Sequence, residues 1–223
     1  MTDTAVNPRP DAWRADAVRY RILWRLVPSV THKLAGSMQP VSMLAGIFAR
    51  QLQRPNLDIP AMTKQVVDMQ QACKAAVTVR TDVMSWFQPS ETKLTSIADE
   101  AAQCTWLLSA EFAIRGCSVD NLIADAPGLV PQSCIRTMFM ATLFAILDNA
   151  EGPLGVELRT LPHGNNGATI VASWFPLAPS DLSPFASSEN TIGWDDLQAV
   201  AAQSGVALQR TDAQVDFCFT LVA

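Results

Sequence analysis

The sequence predicts an α+β protein: a long antiparallel helical hairpin, followed by a domain in which helices cover one face of a mixed sheet. Three observations predict it. Apolar residues recur at steps of three and four from Trp13 to about Gln53, and again from Met62 to Phe87, with the turn-rich break RPNLDIP between them. After Pro89 the texture changes to shorter helical stretches interleaved with period-two runs. At 49% apolar and 17% charged over 223 residues, the chain can bury a sizeable core and does not read as disordered.

In the first helix Leu23, Leu26, Val27, Val30, Leu34, Val41, Leu44, Ala45, Phe48 and Leu52 fall within a stripe roughly 100° wide. Pro40 removes one backbone donor and crowds the carbonyl of Gly36, so a kink is expected there. The second helix carries Met62, Val66, Met69, Cys73, Ala76, Val77, Val83, Met84 and Phe87, and Pro89 ends it. A short loop between two long helices makes an antiparallel hairpin. A lone hairpin leaves apolar surface in water, so pairing with a second copy into a dimeric four-helix bundle is expected.

Downstream, Thr92 to about Ala113 reads as a helix and CSVDNLIAD as a strand. Pro131 opens a further helix, QSCIRTMFMATLFAILDNAEG. VELRTLP and ATIVASWF are alternating runs joined by HGNNG, a hairpin signal. WDDLQAVAAQSG reads as a helix closed by Gly205, and VALQRTDAQVDFCFTLVA as two last strands. The resulting division is a flexible arm over 1–12, a helical hairpin over 13–89 and an α/β sandwich over 90–223.

Several function classes drop out. The net charge of −5 gives no basic footprint, so no nucleic-acid partner is expected. No apolar run approaches the roughly 20 residues of a spanning helix, and the start MTDTAVNPRPDAW has no apolar signal core. A cytoplasmic protein without a membrane partner is expected. The five scattered cysteines, with no CxxC pair, read as reduced thiols, and neither histidine stands at ligand spacing from one, so no metal site is expected. A nucleophile elbow of the GxSxG kind is missing, and His163, in PHGNNG, reads as a hairpin-loop residue.

His32 stands out by position. With Val30 at zero on the helical wheel, the apolar stripe centres near about 15° and His32 falls at about 200°, a solvent-facing histidine midway along the first helix.

The segment around it, VPSVTHKLAGSMQPVSMLAGIF, resembles the phosphoacceptor box of sensor histidine kinases, in which a histidine precedes an acid, a leucine, a basic residue and a proline. His32 and Leu34 match, and Pro40 comes later than in that pattern. His32-x-Leu34-x-Gly36-Ser37 is also similar to histidine-phosphotransfer domains, where a small residue one turn after the histidine lets a receiver domain approach. AILDNAEGPLGVEL looks like the asparagine-bearing helix of the kinase ATP-binding domain. Asn149 and Ala150 match its second asparagine and the alanine after it, and Ala145 stands where the first asparagine would be. FAIRGCSVDNLIADAPGLVPQSCIRTMF resembles the strand, loop and helix just upstream, and GWDDLQAVAAQSGVALQRTDAQVDFCFTLVA the closing helix and strand pair, so the likeness runs from about Arg14 to Ala223.

The departures point one way. Kinases of this family hold adenine and phosphates with glycine-rich segments, whose amides approach the ligand because no Cβ intervenes. Here PLAPSDLSPFASSENTIGWDD has Asp181 without a following glycine and Gly193 alone. Lys33 stands where the family carries an acid, and a cation cannot accept the imidazole proton.

The resemblance therefore implies a two-domain histidine phosphotransferase with a degenerate kinase ATPase-like domain, which binds neither ATP nor Mg²⁺ by itself. His32 would be the phosphoacceptor, Lys33, Gly36 and Ser37 a receiver-docking surface, and Asn149 a remnant of the nucleotide site. The implied partners are the receiver domains of response regulators and a second copy of the chain. Passing phosphate between receiver aspartates asks of this chain only an exposed, oriented nucleophile, because the acyl phosphate is already activated. Two rival readings stand: a non-catalytic regulator that binds a receiver or a kinase, and a divergent kinase with unfamiliar nucleotide contacts.

Overall fold

A computed structural model describes residues 10–88, 90, 92–124, 128–164, 167–178 and 190–222. Helix α1 (Pro10–Leu52) starts three residues before Trp13 and runs through Pro28 and Pro40 without a break. Helix α2 (Ile59–Phe87) begins inside the expected break, taking in Ile59 and Pro60 before the periodic stretch at Met62. Asp58 is its N-cap, its carboxylate accepting the Ala61 N–H at 3.0 Å, and Pro60 occupies the first turn, where a missing N–H costs nothing.

By compactness the chain falls into two units, residues 27–89 and the rest of the described chain. Within the first, α2 carries two apolar faces. One, through Met62, Met69, Ala76, Val79, Val83 and Trp86, is buried or half-buried. The other, through Val66, Cys73, Val77, Met84 and Phe87, is exposed, with Val77 at 60%. The stripe expected from periodicity merged these faces, because their positions differ by a single residue at several turns. On α1, Val30 is buried and Leu34, Val41, Leu44 and Phe48 are half-buried, whereas Val27, Ala45 and Leu52 are exposed.

In the second unit residues 10–26 of α1 bury Ala15, Val18, Ile22 and Leu26. The remaining elements are β1 (Leu94–Thr95), α3 (Ile97–Ile114), β2 (Ser118–Leu122), β3 (Val130–Pro131), α4 (Gln132–Asp148), β4 (Leu154–His163), β5 (Gly167–Pro176), α5 (Trp194–Ser204), β6 (Ala207–Arg210) and β7 (Gln214–Thr220). The five-stranded sheet has the order β2-β4-β5-β7-β6. Strands β2 and β4 are parallel, as a crossover through α4 allows, and the other neighbours are antiparallel. β1 and β3 form a separate antiparallel pair.

One sheet face is apolar: Val156, Leu158, Ile170, Ala172, Val215 and Phe217 are all buried. Helix α4 closes over it, with Phe139 edge-on to Phe217 at 5.5 Å, and α3 and α5 pack beside α4. From Met138 to Leu147 every α4 residue is buried, the pattern of a helix surrounded by protein. The opposite sheet face carries Glu157, Thr169, Asp216 and Cys218. This is the two-layer α+β arrangement the sequence predicts.

Helix ends follow local chemistry. Ser96 caps α3 by accepting the Asp99 N–H at 3.1 Å, so that helix starts five residues later than Thr92. Gly205 ends α5 in the left-handed region at φ 66°. No helix among the described residues is long and apolar enough to cross a membrane. Asp181 and the glycine-poor stretch around it, and the turn residues Asn165 and Asn166, lie outside the described residues.

Candidate functional site

His32 sits on α1 between Pro28 and Pro40 and is exposed. Residues four apart on a helix lie one above the other, about 6 Å along the axis. His32 and Gly36 therefore share one row, and Lys33 and Ser37 the next. The structure brings these four candidates together on a single turn and a half of helix.

Gly36 is exposed, and a Cβ built on it would meet nothing within 4 Å. Packing inside this chain does not require glycine there. Ser37 is half-buried and turns its hydroxyl back onto its own helix, donating to the Leu34 carbonyl at 2.8 Å. Thr31 does the same to the Val27 carbonyl at 2.8 Å. Partial burial holds the Lys33 ammonium below the usual lysine value. The turn thus presents an open imidazole beside a bare backbone patch, flanked by a lysine whose stem is partly covered.

Asn149 lies elsewhere, in the second unit, as the C-cap of α4. Its side-chain nitrogen donates to the Ala145 carbonyl at 2.7 Å and to the Ile192 carbonyl at 3.4 Å, and its backbone N–H also reaches Ala145 at 3.2 Å. The side chain thus ties the end of α4 to the segment just before α5. Ala145 is fully buried.

Beside Asn149 is a charge cluster that sequence reasoning missed. The Asp148 carboxylate is buried and takes a hydrogen bond from Arg25 of α1, another from Arg115 at 3.3 Å and a third from the Ile192 N–H at 2.8 Å. Glu111 bridges the same two arginines. The Arg25 guanidinium also lies 3.8 Å from the centre of the Phe144 ring. One signal was available: an acid at a helix C-terminus opposes the helix dipole and calls for a cation. Nearer the start of α1, Arg14 and Arg21 hold Asp196 of α5 at 2.7 and 2.9 Å, and Arg21 also reaches the Thr191 carbonyl. Burial works against ionisation of Asp196, but the Arg14 bond, the Gly193 N–H and Arg21 outweigh it and hold the carboxyl below its ordinary value.

Among the described residues no three histidine, cysteine, aspartate or glutamate side chains gather as a metal would need. No protein-family model matches the chain, and no curated protein matches it. Solved structures do. The mycobacterial sensor histidine kinase MprB aligns over 58% of this chain and 97% of its own, at 10% identity and a TM-score of 0.42. Acinetobacter baumannii histidine kinase AdeS aligns over 86% and 98%, at 8% identity and 0.42. The histidine kinase domain of the Erythrobacter litoralis EL346 blue-light activated kinase aligns over 84% and 96%, at 14% identity and 0.41. These are likenesses of layout, to proteins whose shared description is histidine kinase.

Proposed function

We propose that the chain is a histidine phosphotransfer protein of a two-component phosphorelay, with His32 carrying phosphate between receiver-domain aspartates. The observation that carries this reading is His32 itself: an exposed imidazole midway along a long helix, with the open surface of Gly36 one turn away. In the transfer step an imidazole nitrogen attacks the phosphorus of an aspartyl phosphate. The new P–N bond forms as the P–O bond to the carboxylate breaks, and the reverse step delivers phosphate to a second aspartate. The receiver brings the metal and most of the charge stabilisation. Lys33, one position along, adds positive charge beside the phosphate.

The same reading leaves out a magnesium nucleotide at the end of α4, and the side chains there support this. Where the resembled kinases place a first asparagine there is buried Ala145, which offers no side-chain oxygen to a metal. The reading therefore assigns the second unit a scaffolding or docking role, without autophosphorylation from ATP. It also includes dimerisation, supported by the exposed second face of α2 through Val66, Val77, Met84 and Phe87.

The test mixes the protein with receiver domains carrying labelled aspartyl phosphate. Label moves to the wild type and not to His32→Ala. Receivers that bind the protein yet transfer no label would instead make it a non-catalytic regulator.

A further inference from the structure

His163 closes β4, and its ring crosses the open face of the sheet toward β7. Its backbone partner on β5 is Gly167, and the absence of a side chain there makes room. A Cβ on Gly167 would lie 2.6 Å from the His163 carbonyl oxygen and 3.3 Å from the ring carbon Cδ2. Nδ1 of the imidazole thereby stands 3.1 Å from Thr169 Oγ1 and 3.7 Å from Cys218 Sγ. Thr169 Oγ1 is in turn 3.0 Å from Cys218 Sγ. Thr169 and Cys218 are register partners on β5 and β7, so the sheet itself fixes their separation. A thiol, a hydroxyl and an imidazole thus form a closed triangle on a half-exposed surface. This is a nucleophile with a base in reach and a group able to relay the proton.

The other thiols differ. Burial pushes Cys104 well up and Cys117 and Cys134 up from the ordinary thiol value, which keeps them protonated and unreactive. Cys73 is exposed on α2 but lies on the face assigned above to a second copy, so the reference is a synthetic Gln214–Thr220 peptide, in which Cys218 has neither His163 nor Thr169 beside it.

We propose that Cys218, with His163 as base and Thr169 as proton relay, is a peroxide-reactive modification site on the open face of the sheet. Its substrate class is small hydroperoxides. The sulfur attacks the terminal peroxide oxygen, forming the S–O bond as the O–O bond breaks. Sulfur is oxidised by two electrons to a sulfenic acid and the peroxide is reduced to water or an alcohol. The thiol proton passes through Thr169 to His163 and on to the departing oxygen. This site is independent of His32 and its chemistry.

The full chain and that peptide are each treated with hydrogen peroxide in the presence of dimedone, which traps sulfenic acids, and labelling at each cysteine is followed by peptide mass spectrometry. Cys218 in the full chain gains label about tenfold faster than in that peptide despite its lower exposure, and both His163→Gln and Thr169→Val abolish that lead. Equal rates at Cys218 in the full chain and in the peptide would overturn the proposal, with no variant needed. So would a lead that survives both substitutions in proteins with wild-type circular dichroism.

Discussion

Arg25 is an arginine on an inward-facing part of α1, held between Glu111 and Asp148 and laid on the Phe144 ring. Arg25→Ala leaves two carboxylates with only Arg115 and one backbone N–H, so it should cost about 3 kcal/mol, read as a lower urea midpoint at unchanged slope. Asp196 gives a pH-dependent counterpart. Its native carboxyl lies below the ordinary value of 3.8, so the unfolded chain binds this proton first as pH falls. The stability it contributes is complete above that ordinary value and is lost as pH falls through the lower native one. Asp196→Asn is therefore less stable than wild type at pH 7, and the gap closes at acid pH in parallel denaturation series. Asp148 at a helix end called for some cation, but the partners in neither cluster were legible in the sequence. Arg14 and Asp196 are 182 residues apart, and nothing local marks them as partners. His32 was legible as an exposed residue because a helical wheel needs only the periodicity of its own helix.

At the scale of elements, segments long enough to show a period were readable, down to the four-residue β6, and the two-residue strands were not. The two helices of the hairpin, the hairpin pair β4 and β5, and α5 with its terminal glycine all stand close to where the pattern put them. The two-residue strands β1 and β3 carry too few residues for any period to appear, and they exist only because each pairs with the other. The start of α3 was misplaced because Thr92 to Ser96 holds no Pro or Gly to stop a helix, while the cap that decides the matter is Ser96. Gly205 tests this level directly. Its φ of 66° disfavours a side chain, while open space surrounds it, so Gly205→Ala should cost about 1 kcal/mol through the backbone alone. Thermal denaturation would measure it.

At the scale of the molecule, the exposed apolar face of α2 is the feature that a single chain leaves unexplained. A second copy covering it gives a dimer, and a charge placed on that face should prevent association without disturbing the buried face. Val77→Glu is expected to run at the mass of one chain in light scattering at micromolar concentration, with unchanged helicity, while the wild type runs at twice that mass. A wild type at the mass of one chain would leave the apolar face to another partner.

The central claim is that phosphate resides on His32, and the composition makes this simple to test, since His32 and His163 are the only histidines. After incubation with phosphorylated receiver domains, acid-labile phosphate on the chain is mapped by peptide mass spectrometry under neutral conditions. The account predicts phosphate on the peptide containing His32, its loss in His32→Gln and its persistence in His163→Gln. Phosphate on His163, or none on either histidine from receivers that bind the protein, would contradict it.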